Sequence, residues 1–329
     1  MKRLHLVPEA SEANGVFQVA RMLAVRDGGE LRDMDGVPYV VDGKELKGPL
    51  GWVEVATPEG CGHPVEWFDE VWVHGMWLPR VWGACRMALR AGKRLVRMTH
   101  GSLSPIYLER QSKWKKRLVS PIERHYFAKC DRVVVTGGWE EEWCRKWGLT
   151  RSCETIDLKQ FFHLPNEISS QTLNLTLDGR QIDTCRPLHL LYFGRRHPLK
   201  GLDYLLSAIR QLDPNLKCEN DKTGQTYFII SQSSSLQLKV VSNAFYEEKE
   251  RIWDWCDILV LPTLSENFGL VVAEALERGK CAITTDGAPA WGDGNDYGGR
   301  LIYLNGYRDC SDECRVQMLK DAIEKLQMS

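Results

Sequence analysis

Two glutamates eight residues apart, Glu266 and Glu274, and two cations, Arg195 and Lys200, are the side chains whose types and spacing could do chemistry here. Glu266 stands in a short polar loop, and Glu274 falls in a nearly apolar stretch with Val271, Val272, Ala273, Ala275 and Leu276. Eight residues is slightly more than two helical turns, so a helix starting near Asn267 sets both carboxylates near one rim of a pocket. A glutamate in so apolar a helix needs a partner. In such a helix the amides of Phe268, Gly269 and Leu270 are first-turn donors without intrahelical acceptors; they suit phosphate, while carboxylates suit sugar hydroxyls. The plainer alternative makes Glu266 a helix cap and Glu274 a solvated face residue. Arg195 and Lys200 stand beside Gly194 and Gly201, between a strand expected over 188–193 and a helix over 202–212. Two cations at the carboxyl end of a strand can hold a diphosphate and neutralise charge that grows as it departs.

The elements that must position these groups follow from the apolar pattern. Residues 257–262 read as a buried strand, the helix ends at Gly279, and 280–284 is a second strand, which makes an α/β unit with its ligand loop at the carboxyl end of the first strand. Thr285, Gly287, Ala288 and Pro289 then border the same ligand, and a last helix spans about 313–326. In the first half, a strand at 4–8 leads through Asn14 and Gly15 into a helix at 16–24, where glycine allows close backbone approach. Residues 27–60 read as turns and small strands, with 51–56 alternating. A strand at 70–73 runs into His74-Gly75-Met76-Trp77, and one at 94–98 runs into Thr99-His100-Gly101. Two strands each ending in His-Gly bring both imidazoles to one edge, where they can border the same cleft. A strand at 132–136 and a helix at 140–147 follow.

Length and composition set the frame. A chain of 329 residues exceeds one ordinary core, so two domains of about 150 residues are expected. A net charge of -1 gives no general reason for nucleic-acid binding. No run approaches the roughly 18 apolar residues of a membrane span, and the first residues lack the pattern of a secretory signal. Eleven cysteines without a CxxC pair point to reduced thiols in a cytosolic compartment. Cys310 and Cys314 form the nearest approach to a metal pair, with no second ligand pair in sight.

The stretch SENFGLVVAEAL, with its Glu-x7-Glu, resembles the donor-site signature of retaining, nucleotide-sugar-dependent glycosyltransferases of family 4. LLYFGRRHPLKGLDYLLSAI, residues 190–209, is similar to the Gly-Arg and Lys-Gly block of that family, and comes in the right order before it. The resemblance implies an α/β protein of GT-B fold, two Rossmann-like domains facing each other across a cleft. Domains are expected over 1–168 on the acceptor side and 188–329 on the donor side, joined by a polar linker at 169–187. The piece FFHLPNEI, 161–168, resembles the exit from the first domain. The second domain reads as abbreviated: between the helix at 202–212 and the helix expected at 246–255 the sequence offers only a strand at 227–231 and QSSSLQLKVVSNAF.

By the same resemblance Arg195 and Lys200 stabilise the leaving diphosphate, Glu266 orients donor-sugar hydroxyls, and Glu274 holds the ribose. His100 and the Gly101 backbone lie near the transferred sugar, Gly15, Gly194, Asn267, Phe268, Gly269 and Leu270 line the donor, and His74 with Trp77 shapes the acceptor side. No metal is required, and Asp33-Met34-Asp35, formally the metal motif of a different glycosyltransferase fold, reads as a surface turn. The implied reaction passes a sugar from a UDP-, GDP- or ADP-type donor to a glycan or lipid-linked hydroxyl, by default in bacterial polysaccharide or lipopolysaccharide synthesis. Two alternatives stay open: a sugar-nucleotide epimerase or hydrolase on the same fold, and a non-catalytic nucleotide-sugar-binding protein. Residues 109–129, basic and interleaved with Trp114, Leu118, Ile122 and Tyr126, form either a solvated helix face or a contact with anionic membrane. Trp77, Trp82, Trp139, Trp143 and Trp147 can stack on sugar rings or simply pack.

Overall fold

The structure is a computed structural model that describes residues 1–329 except 10, 12–13, 35–38, 42–43, 47–64, 111–112, 150–152, 166–175, 178–179, 182–186, 215–216, 221–225, 231–235, 243 and 328–329. The chain divides into two compact units, Met1–Asp157 and Leu158–Ser329.

The first unit runs β1 (Arg3–Val7), α1 (Gly15–Asp27), β2 (Glu30–Asp33), the hairpin β3 (Tyr39–Val41) and β4 (Lys44–Leu46), β5 (Glu70–His74), α2 (Pro79–Arg90), β6 (Arg94–Met98), α3 (Pro105–Arg110), α4 (Lys113–Lys129), β7 (Arg132–Val135), α5 (Gly138–Lys146) and β8 (Cys153–Thr155). Six of these strands form a parallel sheet in the order β2-β1-β5-β6-β7-β8. Every residue of β5 is buried, as expected for a parallel strand covered on both faces. At the amino end of the sheet, Glu70 is fully buried and meets the guanidinium groups of Arg3, Arg94 and Arg132 at 2.9–3.1 Å, so its charge is compensated from three neighbouring strands.

The second unit runs β9 (Thr176–Leu177), β10 (Arg180–Gln181), β11 (Leu188–Phe193), α6 (Leu202–Leu212), β12 (Lys217–Asn220), β13 (Thr226–Ile230), β14 (Leu236–Val241), α7 (Tyr246–Trp255), β15 (Ile258–Val260), α8 (Leu270–Glu277), β16 (Cys281–Thr285), β17 (Leu301–Leu304) and α9 (Asp312–Gln327). Its seven-stranded sheet has the order β12-β13-β14-β11-β15-β16-β17, parallel from β14 to β17 and antiparallel at β12 and β13. Among the described residues no helix lies between α6 and α7, so a hairpin fills the interval that the sequence reads as abbreviated.

Several expectations need correction. Residues 30–33, expected within a stretch of turns and small strands, form an edge strand of the main sheet, and Asp33 is its buried last residue rather than part of a surface turn. Asp35 and the alternating piece 51–56 lie outside the described residues. Beyond the loop that follows Trp291, β17 adds a strand the pattern did not reveal. Phe162, in the stretch read as the exit from the first domain, stacks on Phe268 at 6.1 Å within the second unit, and residues 166–168 of that stretch lie outside the described residues. Most of the expected linker lies outside the described residues, and β9 and β10 form an antiparallel pair within it.

Candidate functional site

In the second unit, three loops at the carboxyl ends of β11, β15 and β16 are tied together by their own backbone. Leu199 O accepts from Leu264 N at 2.8 Å and from Thr263 Oγ1 at 3.0 Å, which binds the loop after β11 to the loop after β15. Gly201, at φ 68, lies against Pro262 so closely that a Cβ would stand 1.9 Å from its carbonyl oxygen. Glu266 N donates to Gly287 O at 2.8 Å, Gly287 N donates to Thr285 Oγ1 at 3.1 Å, and a Cβ on Gly287 would meet Thr263 O at 2.0 Å. Only glycine permits these approaches.

That framework sets the charged groups. Lys200 Nζ donates to Glu266 Oε2. Glu266 Oε1 accepts from Asn267 N at 3.3 Å. Glu274 Oε1 accepts from Lys249 Nζ of α7 at 2.8 Å, and its Oε2 is buried without a hydrogen-bond partner among the described residues. The partner that an apolar helix demanded is therefore Lys249, a residue the sequence reading did not single out; its spacing of 25 from Glu274 carries no periodic signal. Arg195 is exposed, its carbonyl oxygen accepting from Tyr192 Oη at 3.1 Å. Gly194 directly follows β11, donates to Val241 O at 2.9 Å and has only ordinary contacts around a would-be Cβ.

Helix α8 begins at Leu270, not near Asn267, because Gly269 takes the left-handed conformation at its N-cap, φ 77. Leu270 is thus the first helical residue, while Phe268 and Gly269 precede the helix. Phe268 is buried against Trp291, whose Nε1 donates to Phe268 O at 2.6 Å. Glu266 and Glu274 consequently take their lysines from different elements, the loop after β11 and the helix α7.

In the first unit, Asn14 caps α1 by accepting from Val16 N at 2.9 Å, and Gly15 is the exposed first residue of that helix. His74 and His100 meet directly, His74 Nδ1 lying 2.8 Å from His100 Nε2. His74 is also joined through Nε2 to Nδ1 of His5 at 3.1 Å. His5 and Trp72 are register partners on β1 and β5, and Trp72 and His74 share a face because strand side chains alternate, so three neighbouring strands deliver three rings to one line. Burial pushes His5 and His100 down to about 3 and holds His74 well below the ordinary histidine range.

Two buried carboxylates hold the His-Gly loops. Glu140, at the start of α5, accepts from Thr99 Oγ1 and, at 2.6 Å, from Gly101 N through one oxygen; its other oxygen accepts from Thr136 N and Oγ1 at 2.9 Å. His100 at φ 51 and Gly101 at φ 72 are fixed in the left-handed region by this clamp. Glu123 of α4 accepts from Trp77 N, from Trp82 Nε1 at 2.9 Å and from the fully buried Arg97 at 3.1 Å, while Arg97 donates to Gly75 O at 3.0 Å. Trp77 Nε1 donates to Ser102 O at 3.3 Å, which links one His-Gly loop to the other.

His74 is fully buried, and its two ring nitrogens are engaged by His5 and His100. The amide of Gly101 is occupied by Glu140. Trp82 is held by Glu123, and Trp143 and Trp147 pack on the hydrophobic core. His5, Arg97, Glu123 and Glu140 were not singled out from sequence; the available signal was a titratable residue inside an apolar strand, His5 in β1 and Arg97 in β6.

Comparison with known proteins gives these sites a context. Residues 187–315 match the family model described as Glycosyl transferases group 1, and residues 12–155 match a Glycosyl transferase 4-like domain. An uncharacterized glycosyltransferase of Methanocaldococcus jannaschii is 31% identical over 100 residues, covering 29% of this chain and 28% of that protein. An uncharacterized 41.2 kDa protein in the cps region of Klebsiella pneumoniae is 26% identical over 179 residues, covering 50% of this chain and 45% of that protein. The chain thus spans less than half the length of these curated relatives. Among solved structures, a sucrose-phosphate synthase from Thermosynechococcus elongatus aligns with a TM-score of 0.59 at 15% identity, covering 100% of this chain and 90% of that one. A trehalose-6-phosphate synthase aligns at 0.55 and 11%, covering 99% and 96%. An Anabaena protein in complex with UDP aligns at 0.52 and 14%, covering 99% and 91%. At these identities the likeness speaks for the fold.

Proposed function

The chain belongs to the group 1 glycosyltransferases of GT-B fold, and from that premise we propose that it moves a sugar from a nucleoside diphosphate sugar to a hydroxyl of a glycan or glycolipid. In this reading the anomeric configuration is retained and the product enters a bacterial cell-surface polysaccharide or lipopolysaccharide, as the sequence resemblance implies. The observation that carries it is the Lys200–Glu266 pair in glycine-dependent loops tied at the carboxyl edge of the second sheet.

Each group has a part. Lys200 and the exposed Arg195 meet the charge that builds on the departing diphosphate, work that positioned cations perform without a metal. Glu266, released from Lys200 by the phosphates, turns to the donor sugar and accepts from its hydroxyls. Glu274 keeps Oε1 on Lys249 and offers the buried, unpartnered Oε2 to the ribose, whose hydroxyl satisfies it. The amides of Phe268, Gly269 and Leu270 stand beside the phosphates. The UDP bound by the Anabaena protein supports a uridine donor as the first to try.

Calorimetric titration with UDP-, GDP- and ADP-sugars and the free diphosphates tests the reading. One donor is expected to bind selectively, and Arg195→Ala is expected to weaken it about tenfold or more, the weight of one charge-assisted contact. Unchanged affinity in Arg195→Ala removes that residue from the diphosphate site, and silence across the panel removes the donor altogether.

For the acceptor side we propose peripheral contact with the inner face of an anionic membrane. Trp114, Leu118 and Ile122 recur every four residues on α4 and are exposed, with Lys115, Arg117 and Lys129 exposed on the same helix. Among the described residues no helix is long and apolar enough to cross a membrane. Sedimentation with phosphatidylglycerol vesicles is expected to carry the protein down, and the double variant Trp114→Ser, Leu118→Ser is expected to stay in the supernatant.

A further inference from the structure

Lys116 breaks the amphipathic pattern of α4. On a helix, residues 116, 120, 123 and 127 share one face, and here it is the inner one: Glu123 is buried with Arg97, and Phe127 lies in the core of the first unit. Trp114, Leu118 and Ile122 occupy the opposite, exposed face. Lys116 therefore carries its ammonium onto the side of α4 that an amphipathic helix gives to apolar groups, and it is half-buried there.

What surrounds the ammonium is aromatic ring and backbone, with no acid. Nζ donates to Tyr107 O at 3.1 Å, and stands 3.6 Å from the centre of the Tyr107 ring and 5.7 Å from that of Trp77. Among the described residues it forms no ion pair. Glu123, the carboxylate on its own face, lies about 10 Å further along the helix and is committed to Arg97, Trp77 N and Trp82 Nε1. Glu109 of α3 is exposed. Half-buried lysines of the second unit make the contrast: Lys159, Lys200 and Lys249 each meet a carboxylate. Burial lowers Lys116 from the ordinary 10.5 to about 8, with no negative charge to offset it.

The aromatic frame is fixed. Trp77 takes φ 71, a left-handed conformation that bulky residues rarely adopt, with its N–H on Glu123 and its indole N–H on Ser102 O at 3.3 Å. Its ring meets Trp147 edge-on at 5.5 Å. Such strain persists only where the surroundings over-determine it, and here it sets a ring beside the ammonium at the carboxyl edge of the sheet, where open α/β folds take ligands.

We propose that Lys116, framed by Tyr107 and Trp77, is an anion site that takes a phosphate or carboxylate carried by the acceptor. The anion supplies the counter-charge that the chain withholds, and the aromatic faces suit the sugar or polyol carbons that bear it. Its source is either a soluble sugar phosphate or sugar acid, or a lipid phosphate at the membrane surface. That the anion belongs to the acceptor rests on the glycosyltransferase reading; the anion site does not.

Proton–carbon correlation spectra of the full chain, labelled with 13C-lysine, test this at the residue itself. Lys116→Met removes one Cε signal and so assigns it; should that variant fail to fold, Lys116→Arg assigns the same signal. Mannose 6-phosphate, glucuronate and octyl phosphate are added in turn, with neutral mannose as the control. At least one anion is expected to raise the titration midpoint of Lys116 by about one unit or more, because an opposite charge in contact favours the ammonium. A shift with octyl phosphate alone assigns the lipid source, and a shift with mannose 6-phosphate or glucuronate the soluble one. Because the anion prefers the protonated lysine, its affinity is expected to fall as pH rises above about 8, by up to tenfold per unit. Calorimetry is expected to show Lys116→Met weakening that anion about tenfold or more. A Lys116 signal unmoved by all three anions overturns the proposal, as does an equal shift with neutral mannose. The Lys116 signal belongs to the first unit and the donor loops to the second, so an unmoved signal leaves the donor reading standing, and a failed donor titration leaves the anion site standing.

Discussion

Gly201 shares its space with a carbonyl group that no side chain could tolerate. A Cβ would stand 1.9 Å from Pro262 O, and the residue's φ of 68 belongs to the left-handed region, so Gly201→Ala meets both a collision with backbone and an unfavourable dihedral. A loss of about 2–4 kcal/mol is expected, read as a lower urea midpoint at unchanged slope. The sequence marked this glycine because it follows Lys200, and it marked Glu266 and Glu274 by their spacing. It could not mark Lys249, His5 or Glu140, because each acts on a residue brought near by the fold and not by any local period. Lys200, Glu266 and Glu274 were legible because each stands in a stretch with its own local pattern, even though Lys200 and Glu266 meet from different loops; groups identified only by a contact between separate strands or helices were not.

Among elements, α4 joins two opposite roles. One side exposes Trp114 and Leu118, and the other buries Glu123 against Arg97, both of them fully enclosed. Removing one member of such a pair strands the other charge in a low-dielectric interior. Glu123→Gln is therefore expected to cost about 3–5 kcal/mol by chemical denaturation, and Arg97→Met combined with Glu123→Leu is expected not to recover it, because Trp77 N, Trp82 Nε1 and Gly75 O lose their partners as well. Amphipathic elements were read well from sequence: β11, α6 and α7 have the bounds their apolar pattern implies. Short elements were not. β2 reads Glu-Leu-Arg-Asp, and its polar composition hides a strand that gains its place from pairing with β1. The start of α8 was displaced by a glycine whose backbone conformation no hydrophobic pattern encodes.

For the whole molecule, the three histidines make folding stability depend on pH. Their folded-state pKa values lie below the ordinary 6.5, at about 3 for His5 and His100 and well below 6.5 for His74. Below 6.5 the unfolded chain therefore binds more protons than the folded one, so stability rises with pH in this window and is lost as pH falls from 6.5 toward 3. Each ring contributes a slope of up to about 1.4 kcal/mol per pH unit. Urea midpoints taken between about pH 7 and about pH 5 should fall steeply, and less steeply in His5→Gln. At this scale the sequence conveyed the two α/β units and the shortened interval before α7. It did not convey what fills that interval, because one visible strand pattern does not reveal two further strands paired antiparallel to it.

That hairpin also divides the second sheet in time. β12, β13 and β14 are sequence neighbours that can zip together within about 1–10 μs, as isolated hairpins do. Pairing β14 with β11 must instead close a loop that contains α6 and the hairpin itself. The loop-closure entropy is met before any of those contacts repays it. One edge of the sheet is thus a fast, self-templating nucleus, and the central parallel strands, which carry the loops of the candidate site, assemble on the slower clock.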